Sequence, residues 1–353
     1  MARDASVTLG TVTLKNPVIA GPAEHVLEAA GVRRAIESGV GAVVIKSANE
    51  VDDAKGQLEA AEYTLFDEHW RQVPWTPGAP RTATLACRSG LSTLSFDAWL
   101  EQAVRMDRVA REHDCLLVAS LILANLDAAL DMAKQVEAAG LRALEFNIGA
   151  PYGGQAKPGN ITKETDPQRI PRMVEAVRGA TRLPLWVKLT GQSDRVPDLA
   201  GSAFGAGADA VILAGRLLGM IPDLDTLKPA LDTSLGIGGF WNLPITCHWL
   251  AMTRKAAGPG RTLIGINGAQ TGEDVARLML AGATAVEIAS PVMVYGFDLL
   301  SRAVRDFQAF LDAKGMDARD LIGVAADRHK MFAEMPPRPG NWRNYVTADA
   351  LGD

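Results

Sequence analysis

Two lysines end otherwise apolar runs in this chain: Lys46 closes GAVVIK and Lys188 closes LPLWVK. Burying an ammonium without a counter-charge is unfavourable, so lysines placed there call for an anionic or strongly polar ligand beside them. The competing reading is a side chain that snorkels to the rim of the fold; two such lysines at the same end of two strands argue against it. A second signature is TLIGINGAQTGEDVARLML (262–280). It ends a strand in a glycine-rich turn, Asn267 and Gly268, and opens a helix at Thr271, where Thr271 and Asp274 fit a capping box. Backbone N–H groups at such a turn, with a helix amino end behind them, bind phosphate. The next strand ends in Ala289 and Ser290, small residues that let backbone approach an anion. Ordinary loop glycines give the same letters, so the turn gains its weight from its place in the fold.

That place is set by a repeat. SGVGAVVIKS (38–47), AGLRALEFN (139–147), AGADAVILAG (206–215) and AGATAVEIAS (281–290) share one pattern. Each carries a glycine (Gly39, Gly140, Gly207, Gly282) just after a helix-period stretch, where a left-handed helix end is least strained. Three residues on comes alanine, then the short apolar run of a parallel strand buried on both faces. Further runs at 17–20, 116–121, 185–189 and 262–266 bring the count of strands to eight, with helical patterns between most of them. Eight alternating units predict an α/β fold, one (β/α)8 TIM barrel, over a doubly wound sheet. VTLGTVTLKN reads as a small N-terminal hairpin under the barrel. The whole of 1–353 reads as one domain, with 315–353 as a C-terminal extension whose MPPRPGNWRNYV packs along the surface or a partner subunit.

Long insertions at 48–95 and 215–246, and a moderate one at 148–166, all follow strands, on the face where barrel active sites form. Loops of such length are usually functional; Trp70, Trp75, Phe240 and Trp241 suit ordered active-site lids. Residues that follow strands point into the site: Lys46 with Ser47, Asn147, Lys188, Ala214 with Gly215, and Ala289 with Ser290.

Composition narrows the class. Hydrophobic residues make up 48% of the chain, the net charge is −5, and three cysteines stand far apart. No run reaches the ~20 apolar residues of a membrane span, and the charge offers no footprint for nucleic acid. Three cysteines cannot supply the four thiolates of an iron–sulfur cluster. No metal-ligating motif stands out. The N-terminus has neither a basic start nor a hydrophobic signal stretch, so a cytoplasmic enzyme is expected.

From about Leu9 to Gly296 the motifs resemble the dihydroorotate dehydrogenase family of flavin barrels. LKNPVIAGPA (14–23) is similar to the opening strand whose small residues, here Ala20 and Gly21, lie against the flavin. GAVVIKS resembles the strand whose Lys-Ser touches the flavin ring, ALEFNIGAP the strand whose asparagine meets flavin and substrate, and LPLWVKLT the strand with a flavin-contacting lysine. GIGGF (236–240), with Gly238 and Gly239, and GINGAQTGEDV (265–275) resemble the phosphate-binding elements. The resemblance implies FMN as cofactor, a small-molecule substrate and a homodimer. GRLLGMIPDLDTL (215–227) is similar to a dihydroorotate dehydrogenase-like branch, whereas dihydropyrimidine dehydrogenase, another relative, works with iron–sulfur domains that are not seen here.

The departures fall in the substrate half. Where the family has N-x-S-C-P-N or N-x-S-S-P-N, this chain reads NIGAPYG, so Ala150 stands in the place of the catalytic base and Tyr152 in that of a substrate-binding asparagine. Cys87 and Thr93 replace two more asparagines, and Gly215, followed by Arg216, replaces another. Each unmet polar group on a ligand costs about 1–3 kcal/mol, so the expected substrate is a small cyclic or aromatic compound other than dihydroorotate. Hydride would pass between it and the flavin, with Lys46 and Lys188 stabilising negative charge. Candidates to move the proton are Tyr152, His25, Cys87 and Lys157; Asn147, Tyr152, Arg216 (as a carboxylate clamp) and Trp241 are candidates to bind substrate. The alternatives are dihydroorotate or dihydropyrimidine dehydrogenation proper, redox-neutral flavin chemistry, and a barrel that binds a phosphorylated metabolite without flavin.

Overall fold

A computed structural model describes residues 2–154, 156–213 and 215–351; Ala214, expected at the site, lies outside them. Eight parallel strands close into a barrel: β1 (Val18–Ala20), β2 (Ala42–Val44), β3 (Leu116–Ile122), β4 (Leu144–Asn147), β5 (Leu185–Lys188), β6 (Ala210–Leu213), β7 (Thr262–Ile266) and β8 (Ala285–Ile288). They pair in chain order, and β8 returns to β1 through Val286↔Val18 and Ile288↔Ala20. These are the eight strands read from the sequence, with ends shifted by a residue or two. Helices follow where the 3.6 period predicts them. Their starts are capped as expected: Ser95 accepts from the Ala98 N–H, Asn125 from the Ala128 N–H, and Thr271 and Asp274 form a reciprocal capping box. The four repeat glycines all adopt positive φ, from +81° to +119°, at helix ends that turn back into strands.

Parallel register and side-chain alternation decide what enters the lumen. Lys188 lies level with Asn147 and Trp186 with Glu145, so all four point inward from neighbouring strands. By the same alternation Ser120 on β3 and Glu287 on β8 face the lumen. The lower lumen is apolar, filled by residues such as Val44, Val118, Trp186 and Ile264, all fully buried. Polar side chains are confined to its upper layer, at the carboxyl ends of the strands.

The long insertions hold structure that the sequence pattern did not reveal. Strands at Glu62–Phe66, Gln72–Val73, Thr84–Arg88, Leu217–Gly219 and Leu235–Gly238 form one antiparallel five-stranded sheet over the mouth of the barrel. It joins the β2 and β6 insertions through Gly236↔Cys87. Hairpin strands Val7–Leu9 and Val12–Leu14 pair antiparallel as expected. The tail, expected to pack along the surface or a partner subunit, is held to the barrel in its first part only. Through Asp327 it is tied down by the two-toothed Arg254–Asp327 ion pair (2.7 and 2.8 Å); beyond it Phe332, Trp342 and Tyr345 face solvent. No described helix is long and apolar enough to cross a membrane.

Gly272 opens the helix Gly272–Leu280, which packs on Asp298–Lys314; a Cβ on Gly272 would come within 2.2 Å of the Phe307 backbone nitrogen. Alanine normally improves a helix over glycine. Here Gly272→Ala is expected instead to lower the unfolding free energy by about 1–3 kcal/mol, because it overpacks the contact. Denaturant unfolding of the two proteins checks the sign.

Candidate active site

The upper lumen opens into a cavity beneath the antiparallel sheet. Its floor is a connected set of charges. Lys188 Nζ donates to Glu145 Oε2 at 2.8 Å and to Glu287 Oε2 at 2.7 Å. Ser120 Oγ donates to Glu145 Oε1 at 2.7 Å, and Ser47 Oγ lies 2.7 Å from Ser120 Oγ. One cation thus joins three strands across the lumen, and two hydroxyls carry the network on to β3 and to the end of β2.

Burial alone would push the Lys188 ammonium down, but Glu145 and Glu287 outweigh it and hold it above the usual lysine range. Burial pushes Glu287 up, with Lys188 opposing and Glu145 adding to the rise. A proton on Glu287 makes the trio electrically neutral, the arrangement with the least desolvation penalty. Lys46, the other strand-end lysine, donates to Glu24 Oε1 at 2.9 Å. Burial pushes the Glu24 carboxyl up, yet Lys46 and then Arg216 outweigh that effect and hold it at about 2. Both lysines are therefore buried and paired, not snorkelling.

Most of the expected site residues meet here. Lys46, Ser47, Asn147, Lys188, Gly215, Gly239, Asn267, Gly268, Ala289 and Ser290 line the cavity, as do Tyr152 and Arg216. Gly238 stands just behind, its Cα side against Asn267 Oδ1. Ala20 ends β1 fully buried, and Gly21 follows it, against Glu287 and Ala289. Asn147 Oδ1 accepts from the Gly149 N–H at 3.0 Å.

The candidates for proton transfer are placed differently. Tyr152 Oη donates to the Cys87 carbonyl and accepts from the Gly236 N–H at 3.2 Å. It fastens two strands of the overlying sheet, and Gly236 makes room for it, since a Cβ there would sit 2.4 Å from the oxygen. Burial pushes its pKa up, so the phenol is committed to the lid. Cys87 is buried in that sheet with Arg216 against its sulfur, outside the cavity lining. Both His25 ring nitrogens are buried without partners, in an adjoining groove beside Phe297. Lys157 pairs with Asp53 on the surface, and Trp241 Nε1 donates to Thr84 Oγ1 at 3.0 Å, also outside the cavity.

Sequence reasoning missed Glu24, Glu145, Glu287 and Ser120. The signal was available for two of them: Glu145 in ALEFN and Glu287 in AVEI are single charges inside buried strands, which demand partners by the same rule that singled out the lysines. It also missed the apolar wall of Leu91, Ile122, Ala150 and Ile161, which packs with Tyr152.

Two outcomes are expected. Lys188→Met leaves the buried Glu145 and Glu287 carboxyls without their cation and should lower stability by about 3–5 kcal/mol, part of which Glu287→Gln in the same chain restores; paired unfolding curves test this. Burial lowers the His25 pKa from the ordinary histidine value to about 3. The unfolded chain then binds a proton that the folded chain refuses, so stability falls as pH drops from about 6.5 towards 3, by up to ~1.4 kcal/mol per unit. His25→Leu should flatten that window, read from denaturant midpoints at pH 7, 6 and 5.

The comparisons with known proteins agree with this architecture. The profile of the dihydroorotate dehydrogenase family matches residues 79–311. The catalytic subunit of dihydroorotate dehydrogenase B (NAD(+)) from Methanocella arvoryzae is 27% identical over 319 residues, 90% of this chain and 96% of that protein. The corresponding subunit from Bacillus pumilus is 31% identical over 56% of this chain, and the match spans 60% of that protein's length. Dihydroorotate dehydrogenase A (fumarate) from Lacticaseibacillus paracasei is 33% identical over 50% of this chain and 60% of its own length. Among solved structures, dihydroorotate dehydrogenase from Eimeria tenella in complex with ferulenol shares the fold, with a TM-score of 0.68 at 17% identity over 93% of this chain and 89% of that one. On the extent of the family match and the barrel together, the chain belongs to the dihydroorotate dehydrogenase family, a family of oxidoreductases.

Proposed function

We propose that the chain is an FMN-dependent oxidoreductase acting on a CH–CH bond of a small cyclic or aromatic substrate. The observation that carries this reading is the floor itself: Lys188 held between Glu145 and Glu287, beside Lys46, under a cavity lined by the glycine-rich turns. The residues present fit a flavin. Glu287 Oε1 is buried and has no partner, which leaves a polar atom for a ligand heteroatom, and Gly215, Gly239 and Gly268 leave bare backbone along the wall. Lys46, Ser47, Asn147 and Lys188 would hold the ring; Gly239, Asn267, Gly268, Ala289 and Ser290 would hold the phosphate.

When bound, the flavin supplies the two-electron chemistry. Lys188 and Lys46 present N–H donors at the floor, and their carboxyl partners fix them there without reorganisation. The overlying sheet, fastened by Tyr152, keeps water away from the ring. Ser47 Oγ at the cavity, Ser120 Oγ and Glu145 Oε1 form a hydrogen-bonded chain along which a proton can pass between the floor and the cavity. In this reading the proton moves through Ser47 and Ser120, and Tyr152, His25 and Cys87 do not carry it. A cytoplasmic homodimer belongs to the same reading; the solvent-facing aromatics of the tail support a second copy.

Dihydroorotate is the second reading, and the names of the relatives favour it over a different substrate. Against it stand Cys87, Ala150, Tyr152 and Gly215, which replace the polar groups the family uses. Heat-released cofactor and stopped-flow mixing with dihydroorotate separate the cases. FMN at one per chain with no bleaching by dihydroorotate is expected. Rapid bleaching establishes the second reading, and protein purified without flavin removes both.

A further inference from the structure

The substrate half of the cavity has a definite chemistry of its own. Leu91, Ile122, Ala150, Ile161 and Tyr152 form one buried cluster, and all five line the cavity. Such a wall offers nothing to a ring studded with N–H and C=O groups, each of which would lose about 1–3 kcal/mol of hydrogen bonding against it.

At the edge of this wall stands Arg216. Its guanidinium carbon lies 5.7 Å from the centre of the Tyr152 ring, and Leu218, two residues on, packs against the same cluster. Nη2 donates to Ser89 Oγ at 2.9 Å and Nη1 points at the Cys87 sulfur. A guanidinium carries five N–H donors, so most of its capacity is unused. Among the described residues no carboxylate lies within 4.0 Å of it, whereas Lys46 and Lys188 are both ion-paired. Glu24, the acidic group near enough to influence it, is already engaged by Lys46. A half-buried cation that lines a cavity with no carboxylate in direct contact keeps donors for a ligand that brings one.

We infer that the substrate is an apolar carboxylic acid, its ring or chain against the Leu91–Ile122–Ala150–Ile161 wall and its carboxylate in a two-toothed contact with Arg216. The planar fork of arginine matches a carboxylate in both geometry and charge. The inference rests on the flavin oxidoreductase reading and deepens it: one arginine stands where the resemblance implies asparagines, at the edge of an apolar wall. Arg216 is then the residue that determines specificity, while the floor is unaffected.

The test uses the flavin-loaded protein with trans-cinnamate, its neutral amide trans-cinnamamide, and orotate, each titrated by perturbation of the flavin spectrum and by calorimetry. Cinnamate is expected to bind at least ~tenfold more tightly than either comparator, the preference that a charge-assisted pair confers. Arg216→Gln should erase the preference of cinnamate over cinnamamide and leave the amide within about twofold of its original affinity, whereas Arg216→Lys retains part of it. Orotate binding as tightly as cinnamate, or acid and amide binding alike to the unaltered protein, overturns the inference even if the variants fail to fold. A protein that holds no flavin overturns the oxidoreductase reading instead, and calorimetry still reads the acid preference.

Discussion

The site depends on one interaction, the Lys188 ammonium held between Glu145 and Glu287 inside the barrel. These residues come from β5, β4 and β8, so their contact exists only when the eight strands close in register. A cation removed from water must find its partners within the lumen, and here it finds two, with Ser120 and Ser47 extending the network to the cavity. The trio therefore ties barrel closure to the electrostatics of the floor. It also sets a boundary: below it the lumen is apolar, above it the cavity begins.

Above that floor the chain follows a different logic. The antiparallel sheet is assembled from insertions far apart in sequence, and the phenol of Tyr152 joins two of its strands by meeting both the Cys87 carbonyl and the Gly236 N–H. Residues that would be catalytic or substrate-binding in a polar pocket serve the lid and its apolar wall. Ala150 has no proton to give, and Arg216 is left as the one strongly polar side chain among those that replace the family's asparagines. The proposed arrangement, a floor kept for a cofactor under a roof that suits another ligand, accounts for a clear family match beside a substrate half that departs from the motifs.

The barrel was legible because its signals are local. A glycine at each helix end, an alanine three residues on and a short apolar run report a unit that needs no distant contact to be recognised. Lys46 and Lys188 were legible for a related reason, since a charge at the end of a buried strand is anomalous wherever the strand lies. The antiparallel sheet was not, because its strands are two to five residues long and find their partners in another insertion. Glu145 and Glu287 were passed over because whether a strand residue faces lumen or helix depends on register, which a single strand does not state. His25 and Cys87 sit in sequence beside the site and turn away from it in space.

The central claim is that this floor and the turns beside it hold a flavin through its phosphate as well as its ring. Calorimetric titration of flavin-free protein with FMN and with riboflavin tests it most directly. One FMN should bind per chain, with riboflavin at least ~tenfold weaker, the difference reporting the contacts at Gly239, Gly268 and Ser290. Equal binding of the two flavins, or binding of neither, would contradict the account.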